Sequence, residues 1–250
     1  MPEKIDSPSF FEPWLQFKQP IVRQLAFCIA SPNILTKIPD DLKIENYFEL
    51  HSNTVWQEHY QAYEVRLQQL DQQPRPLIDF MARLKSTRLG LRFEYLLWFW
   101  LQDDDYHPYQ LLGHSIQKIA GAVTLGELDF LLLNKQTQEI EHWEVALKYY
   151  LGENELNLSE WFGLNRQDTL QRKLRHFTQR QFQFSETSQY TIQRKFAVMK
   201  GQLYLPEHHY ASSIPEWINT SRRLGQWGTI IPVLPYYRLQ RHEWICPDQH

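Results

Sequence analysis

The sequence predicts an α/β fold on three observations. Apolar and aromatic residues recur at helical spacing through the first hundred residues; three consecutive strand-like segments follow; and a polar connection then leads into an amphipathic helix and another strand. In the helical part, Val55, Trp56, Tyr60, Tyr63, Val65, Leu67 and Leu70 give a mostly helical spacing over Thr54 to Asp71, which Pro74 and Pro76 interrupt. A second helix is expected over Leu77 to Leu84, and a third from about Thr87 to Leu101, ending before three consecutive aspartates at 103–105. The strands are expected over Tyr109–Ile119, Leu125–Leu133 and Ile140–Tyr150, separated by Ala120-Gly121 and by the polar run from Asn134 to Thr137. Leu131 to Leu133 is continuously apolar, as in a strand buried on both faces. Leu170, Leu174, Phe177 and Phe182 mark a helix from about Gln167 to Phe184, and Lys195 to Leu205 reads as a strand that Pro206 ends. The prolines beyond it imply shorter strands and loops. Residues 1–86 thus read as a helical extension and 87–250 as the core of one compact unit.

Composition narrows the function classes. The chain of 250 residues is 42% hydrophobic and 22% charged, the balance of a globular domain, and nine tryptophans suggest a well-filled core or an aromatic groove. Cys28 and Cys246 are the only cysteines, too few and too far apart for a disulfide framework or a thiolate zinc site. The histidines follow no zinc spacing, and no P-loop, GxGxxG or GxSxG occurs. No basic stretch precedes an apolar one at the N-terminus, and the densest apolar run, Leu96 to Leu101, is too short to span a bilayer, so a cytoplasmic protein without a membrane partner is the expectation. The net charge is −3, yet residues 166–200 carry eight Lys or Arg against only Asp168 and Glu186. Such an excess suits a basic wall beside an acidic metal site.

The charged residues on the strands stand out. Asp129 opens an apolar strand, and alternation places Glu144, Ala146 and Lys148 on one face of the next strand, opposite Trp143, Val145 and Leu147. A carboxylate and an ammonium in an apolar strand need partners, because buried charge is costly unless paired or metal-bound. Phosphodiester hydrolysis supplies a reason: carboxylates hold a hard divalent cation, and a lysine orients or deprotonates water. The helix ending at Leu101 can bring Glu94 to the same point.

Gly126-Glu-Leu-Asp129, a short hairpin, then Trp143-Glu144 and Lys148 resemble the signature of the PD-(D/E)XK nuclease superfamily. The closer resemblance is to an uncharacterised bacterial family within it, carried over most of the chain by four segments. These are Leu89-Gly-Leu-Arg-Phe-Glu94, Leu125-Gly-Glu-Leu-Asp-Phe-Leu-Leu132, His142-Trp-Glu-Val-Ala-Leu-Lys-Tyr-Tyr-Leu151 and Gly163-Leu-Asn-Arg-Gln-Asp168. The resemblance implies a restriction-endonuclease-like core of α-β-β-β-α-β order, with a mixed sheet flanked by helices. It also implies Mg²⁺ or Mn²⁺ on Glu94, Asp129 and Glu144, and Lys148 in the lysine role. The usual Glu-x-Lys spacing is not kept: Ala146 stands where the lysine belongs, and Lys148 lies one pleat on, a shift of roughly 6–7 Å.

The expectation is therefore a metal-dependent nuclease acting on DNA in preference to RNA, with Asp129, Glu144 and Lys148 catalytic and Arg166, Gln167, Arg172, Lys173 and Arg175 gripping phosphates. The shifted lysine motivates a rival, a non-catalytic nucleic-acid-binding or scaffold protein on the same fold. A third reading is an interaction module built on the aromatic N-terminal half. Glu127 is expected to be structural or solvent-facing, and His142, two residues before Glu144 and so able to approach the site, to serve packing or the rim.

Overall fold

The computed structural model describes residues 10–121, 123–207, 214–230 and 237–246. Four helices come first: α1 (Pro20–Ala30), α2 (Asn53–Gln72), α3 (Arg75–Met81) and α4 (Leu89–Gln102). Three long strands follow, β1 (Tyr109–Ala120), β2 (Val123–Asn134) and β3 (Glu139–Gly152), then the short β4 (Trp161–Phe162), α5 (Leu170–Gln179), β5 (Arg194–Pro206) and β6 (Gly225–Trp227).

Local chemistry explains the helix limits. Pro20 begins α1, where its missing N–H costs nothing. The Ser52 hydroxyl accepts from the Val55 N–H and caps α2. Pro74 and Pro76 separate α2 from α3, which ends at Met81, three residues short of the expected Leu84. The helix expected to run to Phe184 stops at Gln179, and a 3₁₀ turn over Gln181–Gln183 continues the chain. Thr169, whose hydroxyl accepts from the Arg172 N–H, caps its start.

The sheet is mixed and has six strands in the order β1-β2-β3-β5-β6, with β4 paired to β3 off that path. β2 runs antiparallel to β1 and β3, and β4 antiparallel to β3, whereas β5 is parallel to β3 and β6 to β5. Alternation along β3 sorts the core as the sequence implies. Trp143, Val145 and Leu147 join Phe196 and Val198 of β5 against α1, α2 and α4. Ala146 and Tyr150 join Ala197, Met199 and Leu203 against Leu170, Leu174 and Phe177 of α5. Helices therefore cover both faces. The first cluster draws on α1 to α4 and on β2, β3 and β5 alike, so the helical extension and the sheet share one core.

Two features tie the layers. Trp143 is fully buried, and its indole packs against His51, Tyr109, Trp56, Trp100 and Phe196 with ring centroids 4.6 to 6.4 Å away. Gly201 lies opposite Lys148 in the parallel ladder at φ +130, and a Cβ there would collide with the Lys148 carbonyl. Gly201→Ala thus combines a disfavoured φ with a clash against backbone, which cannot swing aside. We expect it to lower unfolding free energy by about 3 kcal/mol or more, read as a reduced urea midpoint at unchanged slope. A midpoint within error of the parent would contradict the close approach.

Candidate active site

Pairing between β2 and β3 ends at Phe130 opposite Trp143, and beyond that point the strands diverge. The Val145 N–H, left without a β2 carbonyl, donates instead to Asp129 Oδ2 at 2.8 Å. Asp129 is thereby fixed at the fork, next to Glu144, the first β3 residue past the last pair. Glu144 is fully buried. Its Oε1 lies 2.7 Å from Nε2 of His142, and its Oε2 accepts from the Gln181 amide, carried on the 3₁₀ turn after α5. The Asp129 and Glu144 carboxyl groups also interact directly, which requires a proton on one of the two.

A lysine closes this arrangement, and it is Lys173. Its ammonium donates to Gln181 Oε1 at 2.8 Å and sits 3.9 Å from the centroid of the Phe177 ring. Burial lowers its pKa to about 8, opposed by the nearby charges of Glu144 and Asp129. Gln181 thus connects Lys173 to Glu144 through the two ends of one amide. Burial also raises both acids, Asp129 well above the usual carboxylate range with help from Glu144, and Glu144 to about 8 against the pull of Lys173.

The other expected residues fall nearby with different partners. Glu94 comes from α4, 9% exposed, and its Oε1 is 2.7 Å from His114 Nε2 and 3.4 Å from Ser115 Oγ. The His114 ring stacks on Trp98 at 4.1 Å, which fixes this contact. Glu94 still raises the Asp129 pKa through its charge. Lys148 does not bond the acid pair: its Nζ donates to Asp168 Oδ2 at 2.7 Å, while the Tyr150 hydroxyl donates to Asp168 Oδ1 at 3.4 Å. Glu127 is exposed, as expected. His142, expected in a packing or rim role, touches Glu144 directly; its Nδ1 is buried without a partner.

The phosphate-gripping set divides. Arg172 and Arg175 are exposed on α5, and Gln167 is exposed before it. Arg166 is exposed but clamped on Glu153 by bonds of 2.6 and 3.0 Å. Lys173 is turned inward, away from a solvent-facing role. The basic stretch is not one wall either, since Lys200 is fully buried and Arg194 pairs with Glu49. What remains is a cavity of about 400 Å³ beside the acids, lined by Lys148, Asn165, Gln167, Arg172, Lys173 and His176 together with Asp168.

Sequence reasoning named Lys173 only among the phosphate-gripping residues, and it did not single out Gln181 or His114 for the site. Lys173 had a legible signal, because positions 170, 173, 174 and 177 form one helical stripe and three of them are apolar. Gln181 and His114 had none, as their contacts arise only from the tertiary fold.

Among the described residues, no three His, Cys, Asp or Glu side chains converge as a ready-made metal cage. Two adjoining carboxyl groups, Glu144 fully buried and Asp129 partly so, nevertheless fit a hard divalent ion once deprotonated, since such an ion binds through one or two carboxylates and keeps waters for the rest. A model of a family described as a domain of unknown function, DUF1853, matches residues 23–250. No curated protein and no solved structure matches the chain. No helix among the described residues is long and apolar enough to cross a membrane.

The acid pair makes a pH prediction. Between about pH 4.5 and 8 the folded chain keeps the Glu144 proton that the unfolded chain has lost, so stability falls as pH rises through that window. We expect a decline of about 2–4 kcal/mol in urea unfolding across it, largely flattened in Glu144→Gln. A flat profile for the parent protein would contradict the buried, proton-retaining pair.

Proposed function

We propose that this chain, which belongs to the DUF1853 family of unknown function, is a metal-dependent nuclease of the PD-(D/E)XK type, with Lys173 rather than Lys148 as the lysine of the site. The observation that carries the reading is Lys173 standing against the Asp129–Glu144 pair and joined to Glu144 through Gln181. The lysine absent from the usual position on β3 has a substitute approaching from α5.

In this reading Asp129 and Glu144 would hold Mg²⁺ or Mn²⁺, with Glu94 as a further carboxylate ligand. Such an ion would acidify water and neutralise charge on a phosphodiester. Lys173, with its pKa lowered to about 8, is suited to orient the attacking water and take its proton near neutral pH. The water oxygen bonds to phosphorus as the bond to the leaving oxygen breaks, and that oxygen departs with a proton from solvent. Gln181 and His142 fix the Glu144 carboxylate. Lys148, Arg172 and Gln167 line the adjoining cavity, where they can receive flanking phosphates of DNA.

One observation favours a second reading. The oxygens of Glu144 are engaged by His142 and Gln181, and Glu94 by His114, an arrangement satisfied without metal. A metal-independent nucleic-acid-binding protein would keep that arrangement.

Cleavage of end-labelled single-stranded and duplex DNA with Mn²⁺ or Mg²⁺ separates the two. We expect Asp129→Ala and Glu144→Ala to lose activity by about a thousandfold or more, and Lys173→Met by about 10²–10⁴-fold, with folded spectra retained. Lys148→Met is expected to raise KM more than it lowers kcat. Turnover that survives Asp129→Ala, or depends on Lys148 more than on Lys173, would overturn the assignment. Metal-independent binding with no turnover would select the second reading.

A further inference from the structure

A cavity of about 730 Å³ lies away from the acid pair, between the start of α2, the beginning of β1 and the N-terminal ends of β3 and β5. Aromatic rings form much of its wall. His51 stacks on Phe196 at 4.0 Å, and His59 meets Tyr109 edge to face at 5.4 Å. Burial holds both imidazoles below their ordinary pKa, so they are neutral at pH 7.

The bonding state of the lining groups indicates what the cavity can receive. Its two Lys or Arg side chains are already engaged. Arg194 donates through Nε and NH2 to the two carboxylate oxygens of Glu49, and Lys135 donates to the Asp104 carbonyl. The unspent groups are acceptors. Glu58 and Asp105 are exposed on the lining and have no hydrogen-bond or ion-pair partner among the described residues. His51, only 9% exposed, has a buried Nδ1 without a partner. Glu141 is 1% exposed, and its oxygens accept only from the neutral Asn134 amide and Trp143 indole. Unpaired carboxylates beside aromatic faces, with both lining cations already engaged elsewhere, are the chemistry that recognises a desolvated positive charge.

We propose that this cavity binds a small organic cation, an amine or guanidine, whose N–H groups donate to Glu58 and Asp105 while the aromatic rings, His51 among them, cover its carbon chain. The acceptors match its donors, and Glu141 contributes negative charge from below. This inference is independent of the nuclease reading, because none of these residues belongs to the acid pair.

Calorimetric titration of the full chain with spermidine and with agmatine tests it. We expect binding in the range of about 10–100 μM for at least one of the two. The double variant Glu58→Gln, Asp105→Asn removes charge from exposed positions and should weaken that binding by about tenfold or more. Glu155→Gln, an exposed acid outside the cavity lining, should leave it unchanged, and so should Asp129→Ala at the proposed nuclease site. Binding equally weakened by Glu155→Gln, or unaffected by the double variant, would mark general attraction to an acidic surface and overturn the proposal. So would dissociation constants above about 1 mM for both amines, or inorganic phosphate binding there instead through Arg194.

Discussion

The bond from the Val145 N–H to Asp129 Oδ2 is the constraint on which the site depends. A strand that leaves its neighbour exposes backbone donors, and buried donors without partners are expensive. The Asp129 side chain replaces the missing carbonyl. That substitution lets β2 and β3 part without an orphaned N–H, and it fixes a carboxylate at the fork. Glu144 then lies against it, so one solution to a backbone problem creates a buried pair of acids.

Burying two acids side by side has an electrostatic cost, and the second layer of helices meets it. α5 packs Leu170, Leu174 and Phe177 into the core, and Lys173 shares their stripe. Its ammonium enters beside the acids, over the face of the Phe177 ring. Gln181 bridges lysine and glutamate because α5 ends at Gln179 and the chain tightens into a 3₁₀ turn. Had the helix continued to Phe184, Gln181 would lie elsewhere on its surface. The early stop of α5 is therefore part of how the site is built. On the other face, Trp143 anchors the same stretch of β3 in an aromatic cluster, so the strand carrying Glu144 is held from both sides.

Much of this was legible in the sequence. Period-two alternation placed Glu144 and Ala146 opposite Trp143 and Val145, and the Gly126-Glu-Leu-Asp129 turn located the first acid. Helix α1 gave no such signal, because it is apolar nearly all round and buried over almost its whole length, so no polar face marks a period. Lys148 stood on the correct face of its strand, yet its partner, Asp168, comes from a connection whose path periodicity does not describe. Lys173 read as one member of a basic run because charge counts ignore helical phase. The imidazoles and carboxylates of the second cavity come from α2, β3 and loops far apart in the chain, so only the fold brings them together.

The central claim is that Asp129 and Glu144 form a metal-binding acid pair served by Lys173. The most direct measurement is anomalous diffraction from crystals of the full chain equilibrated with Mn²⁺ at neutral pH. The account predicts an anomalous peak within bonding distance of both Asp129 and Glu144, absent from Asp129→Ala crystals, with the Lys173 ammonium still directed toward the pair. Fully ordered carboxylates with no peak, still hydrogen-bonded to each other at saturating Mn²⁺, would contradict it.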